Sequence, residues 1–201
     1  MKQKITAQQL CLTALAIVIN VVGGQVALAL RLPIYLDSIG TILVGVVLGP
    51  WFGLVPGLLG GLIMAATGDI YSLYFAPVGM IVGMMSGLVY RKEGMQRGMA
   101  LGKIYGWQDV ARTFGKAALV TIPGTAVSSV ICAVLFGGIT SSGSTVLVQF
   151  LAAKTPLTMT ESVFVVQLLT DYADRVVSLF LVMAVLRVMP AVLKRQLVSA
   201  D

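Results

Sequence analysis

The stretch SIGTILVGVVLGPWFGLVPGLLGGLIMAATG, residues 38–68, runs 31 positions without a charged side chain. As one straight helix it is about 46 Å long, well beyond a hydrocarbon core of about 30 Å. Its middle holds Gly49-Pro50. Proline lacks the N–H that a helix interior needs, and it biases the preceding residue away from helical backbone. The stretch therefore predicts two apolar helices joined by a tight turn at Gly49-Pro50-Trp51. Gly45, Gly49, Gly53, Gly57 and Gly61 recur every four residues, and Ala65 extends the series. The proline break divides them between two helices, where each set makes a small-residue face for close packing.

The rest of the chain reads the same way. Of 201 residues, 58% are hydrophobic and 11% charged, against about 25% charged in an ordinary soluble domain. Ile5 to Leu30, Ile70 to Tyr90 and Ala117 to Ala153 are also free of charge. Long unbroken apolar runs are helical spans rather than the alternating strands of a membrane barrel. The first run is longer than a signal-peptide core and lacks a cleavage pattern before a polar mature chain, so it is expected to stay as a span. Cys11 and Cys132 fall in apolar runs and read as small buried side chains. Without histidine or a cysteine cluster, no metal or haem site is expected, and no cofactor.

The formal net charge is +6, and its placement speaks for topology rather than nucleic acid. Lys2 and Lys4, then Arg91, Lys92, Arg97, Lys103, Arg112 and Lys116, then Arg187, Lys194 and Arg195 gather in three regions. The positive-inside rule puts all three in the cytoplasm. That parity requires the 38–68 stretch to cross twice. The expectation is an all-α integral membrane protein, one membrane domain over residues 1–201. Its six spans run roughly Gln9 to Leu30, Ile34 to Leu48, Phe52 to Thr67, Leu73 to Tyr90, Arg112 to Phe136 and Tyr172 to Leu193. Both termini are then cytoplasmic. Val146 to Ala153 and Glu161 to Thr170 are too short to span, and are expected as short outer-surface helices before the last span.

Polar side chains gather towards the outer half of these spans. Asp171 and Arg175 are four apart and able to pair on one helix face; ionisable groups at such depth ordinarily serve a site. Asn20, Asp37, Asp69, Tyr71, Tyr74, Gln149, Lys154, Gln167 and Asp174 complete the candidate substrate-binding set. Mixed acid and base with tyrosines suit a small polar ligand with an aromatic ring. On this reading Arg175→Ala weakens ligand binding by roughly tenfold or more while the protein stays folded.

A transporter needs an engine, and the chain has none of its own. The nearest approach to a phosphate-binding loop, Gly98 to Ile104, is one residue short and lacks the hydroxyl that binds magnesium. Several stretches resemble the substrate-binding S components of energy-coupling factor vitamin transporters. They are Leu36-Asp37-Ser38-Ile39-Gly40-Thr41 leading to Leu48-Gly49-Pro50-Trp51-Phe52-Gly53, then Asp69-Ile70-Tyr71-Ser72-Leu73-Tyr74, then Phe136-Gly137-Gly138, and last Asp174-Arg175-Val176-Val177-Ser178. The resemblance implies a six-helix bundle in a bacterial plasma membrane that binds a vitamin on its outer side. It further implies docking on a transmembrane coupling subunit with two ATPase subunits, and toppling in the bilayer to deliver the vitamin. Members often dock through an alanine pair four apart in the first span. This sequence departs from that pattern, since Ala7, Ala14 and Ala16 have Cys11, Val18 and Asn20 four residues on, and Ala7, Cys11 and Ala14 are the candidate docking face. A heteroaromatic such as pyridoxine fits the polar set; riboflavin, a queuosine precursor and cobalamin stay open.

Two other readings compete. A sensory transmembrane module is expected to carry an output domain, and none is read before Asp201. An intramembrane enzyme needs a catalytic carboxylate pair; Asp171 and Asp174 are a turn apart, but Arg175 beside them favours two ionised groups over a shared proton.

Overall fold

The computed structural model describes residues 5–100 and 107–190; Lys2, Lys4, Lys103, Lys194, Arg195 and the expected end of the last span lie outside them. The described residues form seven helices and no strand: α1 (Ala7–Ala29), α2 (Ile39–Leu48), α3 (Pro50–Ala66), α4 (Tyr71–Ala100), α5 (Trp107–Phe136), α6 (Ser144–Lys154) and α7 (Met159–Val188). Three segments, Ala7–Ala29, Tyr71–Arg91 and Gly115–Phe136, are long and apolar enough to cross a membrane, and on length and composition suggest a membrane protein. Their outward faces carry Leu15, Val18 and Val22 on α1 and Ile122, Val130 and Val134 on α5. An apolar surface this extensive suits lipid rather than water.

The break at Gly49 is where the sequence places it. α2 ends at Leu48 and α3 starts at Pro50. Gly49 between them has φ of 103°, a left-handed backbone that glycine adopts without a Cβ clash. α2 is the innermost element: Gly40 to Leu48 are all buried, with α1, α3, α4 and α7 around it. At 10 residues it is about 15 Å long, half the hydrocarbon thickness. The second helix was expected from Ile34 and begins at Ile39 instead. Residues 30–38 form a loop with left-handed backbone at Arg31 and Leu36. Non-helical backbone at such depth is tolerated where protein satisfies its polar groups.

The small-residue face of α3 meets a second one on α4. A Cβ on Gly57 would lie 2.3 Å from the Gly79 carbonyl carbon, and one on Gly53 2.4 Å from the Gly83 oxygen. The two helices thus cross backbone to backbone, as glycine at an interhelical contact allows. α1 packs on α2 and α3 through Gln9, Thr13, Ala16, Asn20, Gly24 and Ala27, spaced three and four apart along one stripe.

The last third differs from the expectation. α6 is one short helix, as read for Val146 to Ala153. Glu161 to Thr170, expected as a second, is instead the start of α7, which runs unbroken for 30 residues, about 45 Å. The physical reason is a strong N-terminus at Thr158. Its hydroxyl accepts the Glu161 N–H, and the Glu161 carboxylate accepts the Thr158 N–H at 2.8 Å. No proline or glycine follows before Val188 to stop the helix. The Thr158 hydrogen bonds hold the exposed Glu161 carboxyl below its ordinary range. Cys132 is buried as expected, whereas Cys11 is exposed on α1, because the stripe that meets α2 and α3 lies on another face of the helix.

Candidate functional site

The loop before α2 is held by a residue of the last helix. Asp174, with no solvent exposure, accepts the Leu36 N–H on Oδ1 and the Ser38 hydroxyl on Oδ2, both at 2.8 Å. Its neighbour Arg175, 6% exposed, donates from Nη1 to Asp174 Oδ2 and to Ser38 Oγ at 2.9 Å. Ser178, one turn on, touches Ser38 Oγ at 3.1 Å. The pairing of Asp171 with Arg175 read from their spacing is therefore not what forms. Arg175 bonds to Asp174, and Asp171 accepts the Thr125 and Ser128 hydroxyls of α5 at 2.8 and 3.0 Å. The two carboxylates leave α7 towards different neighbours.

Asn20 caps α2 from outside. Its Oδ1 accepts the Gly40 N–H and its Nδ2 donates to Thr41 Oγ1, both at 2.7 Å. Helix α2 has no side-chain cap from Ser38, so Asn20 supplies an acceptor that its first turn lacks. Asn20 lines the site, but both amide atoms are already engaged.

These contacts frame a cavity enclosing about 790 Å³ of atom-free space, its open mouth included. The walls come from one end of the bundle: the C-terminal halves of α1, α3 and α5, the N-terminal half of α4, the loops 30–38 and 137–143, and α7 down to Arg175. Of the candidate residues, Asn20, Asp37, Asp69, Tyr71, Gln167, Asp171 and Arg175 line it. Four do not. Asp174 is buried beneath the floor. Tyr74 stands edge-on to the Phe136 ring, centroids 5.3 Å apart. Gln149 and Lys154 are exposed on α6, away from the lining.

The structure also adds residues. Tyr35, Ser38, Ser128, Thr140 and Ser141 face the cavity, as do Gly57, Gly60 and Gly61 of α3. Tyr35 had a signal in the sequence, an interfacial tyrosine beside an aspartate. Ser128 and the glycines had none, since an isolated serine or glycine in an apolar run does not announce which face it occupies.

Buried polar atoms here stand without partners. Gln167 is 2% exposed and its Oε1 accepts nothing; Arg175 Nε, Asp69 Oδ1 and the Tyr35 hydroxyl are likewise unpaired. Buried polar groups are nearly always satisfied, so four together around one cavity mark a place prepared for a ligand's own polar atoms. Burial pushes the Tyr35 hydroxyl up to about 12, with Ser142 close enough to oppose the shift. It stays a neutral donor at any physiological pH.

Asp37 is exposed at the cavity, where its carboxylate meets both the ligand space and solvent.

Comparison with protein families, with characterised proteins and with solved structures finds no match to this chain.

Proposed function

We propose that this protein is the membrane-embedded binding subunit of an energy-coupling factor importer. It captures a small vitamin on the outer side of a bacterial plasma membrane. The observation that carries the reading is the cavity whose buried Gln167 and Arg175 keep unpaired polar atoms. The cavity takes the N-terminal half of α4 and the later half of α5, away from the two helix ends that the basic α4–α5 connection joins in sequence. With that connection in the cytoplasm, the chain crosses six times, both termini inside, and the mouth opens outward.

The side chains divide the work. Asp174 and Asn20 position the loop and the start of α2. Tyr35, Tyr71 and Phe75 offer aromatic surface to a ring, and Gln167, Asp69 and Arg175 offer hydrogen bonds to its substituents. The sequence holds no phosphate-binding loop, so this reading assigns the energy to a coupling subunit and two ATPase subunits. Ala7, Cys11 and Ala14, all exposed on α1, form the small-residue face offered to that coupling subunit.

Native mass spectrometry of the purified protein tests the capture. The expected result is a retained small molecule that is neither lipid nor nucleotide. Gly60 supplies the control. A Cβ there meets only Asn20, at 3.7 Å or more, so Gly60→Leu fills the cavity without colliding with backbone. This variant is expected to fold and to retain no ligand. Equal retention in Gly60→Leu would move the binding site elsewhere.

A further inference from the structure

We infer that the ligand of this cavity is an organic cation, a protonated amine or a positively charged heteroaromatic ring. The inference rests on the cavity being a ligand site and adds the charge of what enters. Three carboxylates line the cavity, those of Asp37, Asp69 and Asp171, and Arg175 is the one basic side chain among the described lining residues. One guanidinium facing those three and the buried Asp174 beneath the floor leaves the carboxylates in excess. Uncompensated carboxylates in a partly dry site favour a ligand that brings positive charge.

The unpaired atoms point the same way independently. Gln167 Oε1 and Asp69 Oδ1 are unpaired acceptors and the unpaired Tyr35 hydroxyl can accept as well as donate, against one atom that only donates, Arg175 Nε. The Gln167 side chain is 98% buried and lines the cavity with that acceptor, so its partner has to come from within. Aromatic surface completes the match. Tyr71 and Phe75 line the wall and pack on Phe136 with centroids 4.8 and 6.2 Å apart, and Tyr35 lies across from them in the loop. Faces of aromatic rings attract organic cations, most strongly away from water. A bare metal ion fits less well. Among the described residues no three carboxylate, thiol or imidazole groups come close enough to share one.

Three probes of nearly equal size separate the alternatives: benzylammonium, benzyl alcohol and benzoate, each titrated into the full chain in detergent while thermal unfolding is followed. Benzylammonium is expected to raise the unfolding midpoint, with an affinity at least roughly tenfold above that of benzoate and with the alcohol between. The Asp37→Asn/Asp69→Asn variant is expected to lose the preference, and Gly60→Leu to lose the benzylammonium shift. Benzoate or the alcohol stabilising as well as the cation would overturn the charge assignment while leaving a ligand site. A benzylammonium shift that survives Gly60→Leu overturns it too, by placing the cation elsewhere. No shift from any probe would sink the ligand site itself.

Discussion

Arg175→Ala is expected to lower the unfolding midpoint sharply as well as abolish ligand binding. The sequence alone suggests a folded protein with a weakened site, because Arg175 reads there as a site residue paired with Asp171. In the structure it is buried and bonded to Asp174. Removing it leaves a fully buried carboxylate unopposed, a loss of about 3–5 kcal/mol. Ser38 loses a donor at the same time, and the loop that carries Tyr35 and Asp37 loses its anchor. Adding Asp174→Asn should recover part of the stability, since an amide oxygen still accepts from Leu36 or Ser38 and no charge is stranded. Ligand binding should not return. Thermal unfolding of the two variants beside the parent checks this; an unchanged midpoint in Arg175→Ala would show that the pair carries no structural load.

Gly83→Val should prevent folding altogether. A Cβ at Gly83 would sit 1.9 Å from the Gly53 carbonyl oxygen and 2.5 Å from its carbon. Both are backbone atoms of a helix pinned by its neighbours, so no rotamer change relieves the clash. Overpacking a core costs about 1–3 kcal/mol when side chains can shift; here α3 and α4 have to separate along their whole contact, and the loss exceeds that range. Gly60→Leu is the matched control, a larger side chain on the partner helix α3 pointing into the cavity. The expected outcome is a monodisperse peak on size exclusion for Gly60→Leu and aggregated material for Gly83→Val. A well-folded Gly83→Val protein would mean that the two helices do not cross so closely.

Residues were legible in the sequence where local chemistry settles them. Gly49-Pro50 disfavours a continuous helix locally, because proline lacks the N–H and glycine takes left-handed backbone without a Cβ clash. The glycines four apart announce a close helix contact, although not that α4 is the partner. Asp37, Asp69, Gln167, Asp171 and Arg175 stand out as site residues because polar groups are rare in apolar runs. Lys154 and Gln149 stand out equally and lie elsewhere, since rarity marks a residue without saying which way its helix face turns. The same limit hid the continuity of α7. Its charged middle looks like a surface segment until the carboxylates find Thr125, Ser128 and Ser38.

What the amino-acid sequence determined by itself is the helical, lipid-suited character of the chain and the hairpin at Gly49, because hydropathy and backbone preference act within a few residues. Only the tertiary structure decided that residues 30–38 sink into the bundle as a loop, that Asn20 caps α2, and that Asp174 rather than Asp171 holds Arg175. Those outcomes depend on partners such as Leu36 and Asp174, 138 positions apart. A buried charge takes whichever donors the packing of helices brings within reach, and spacing along one helix does not reveal them.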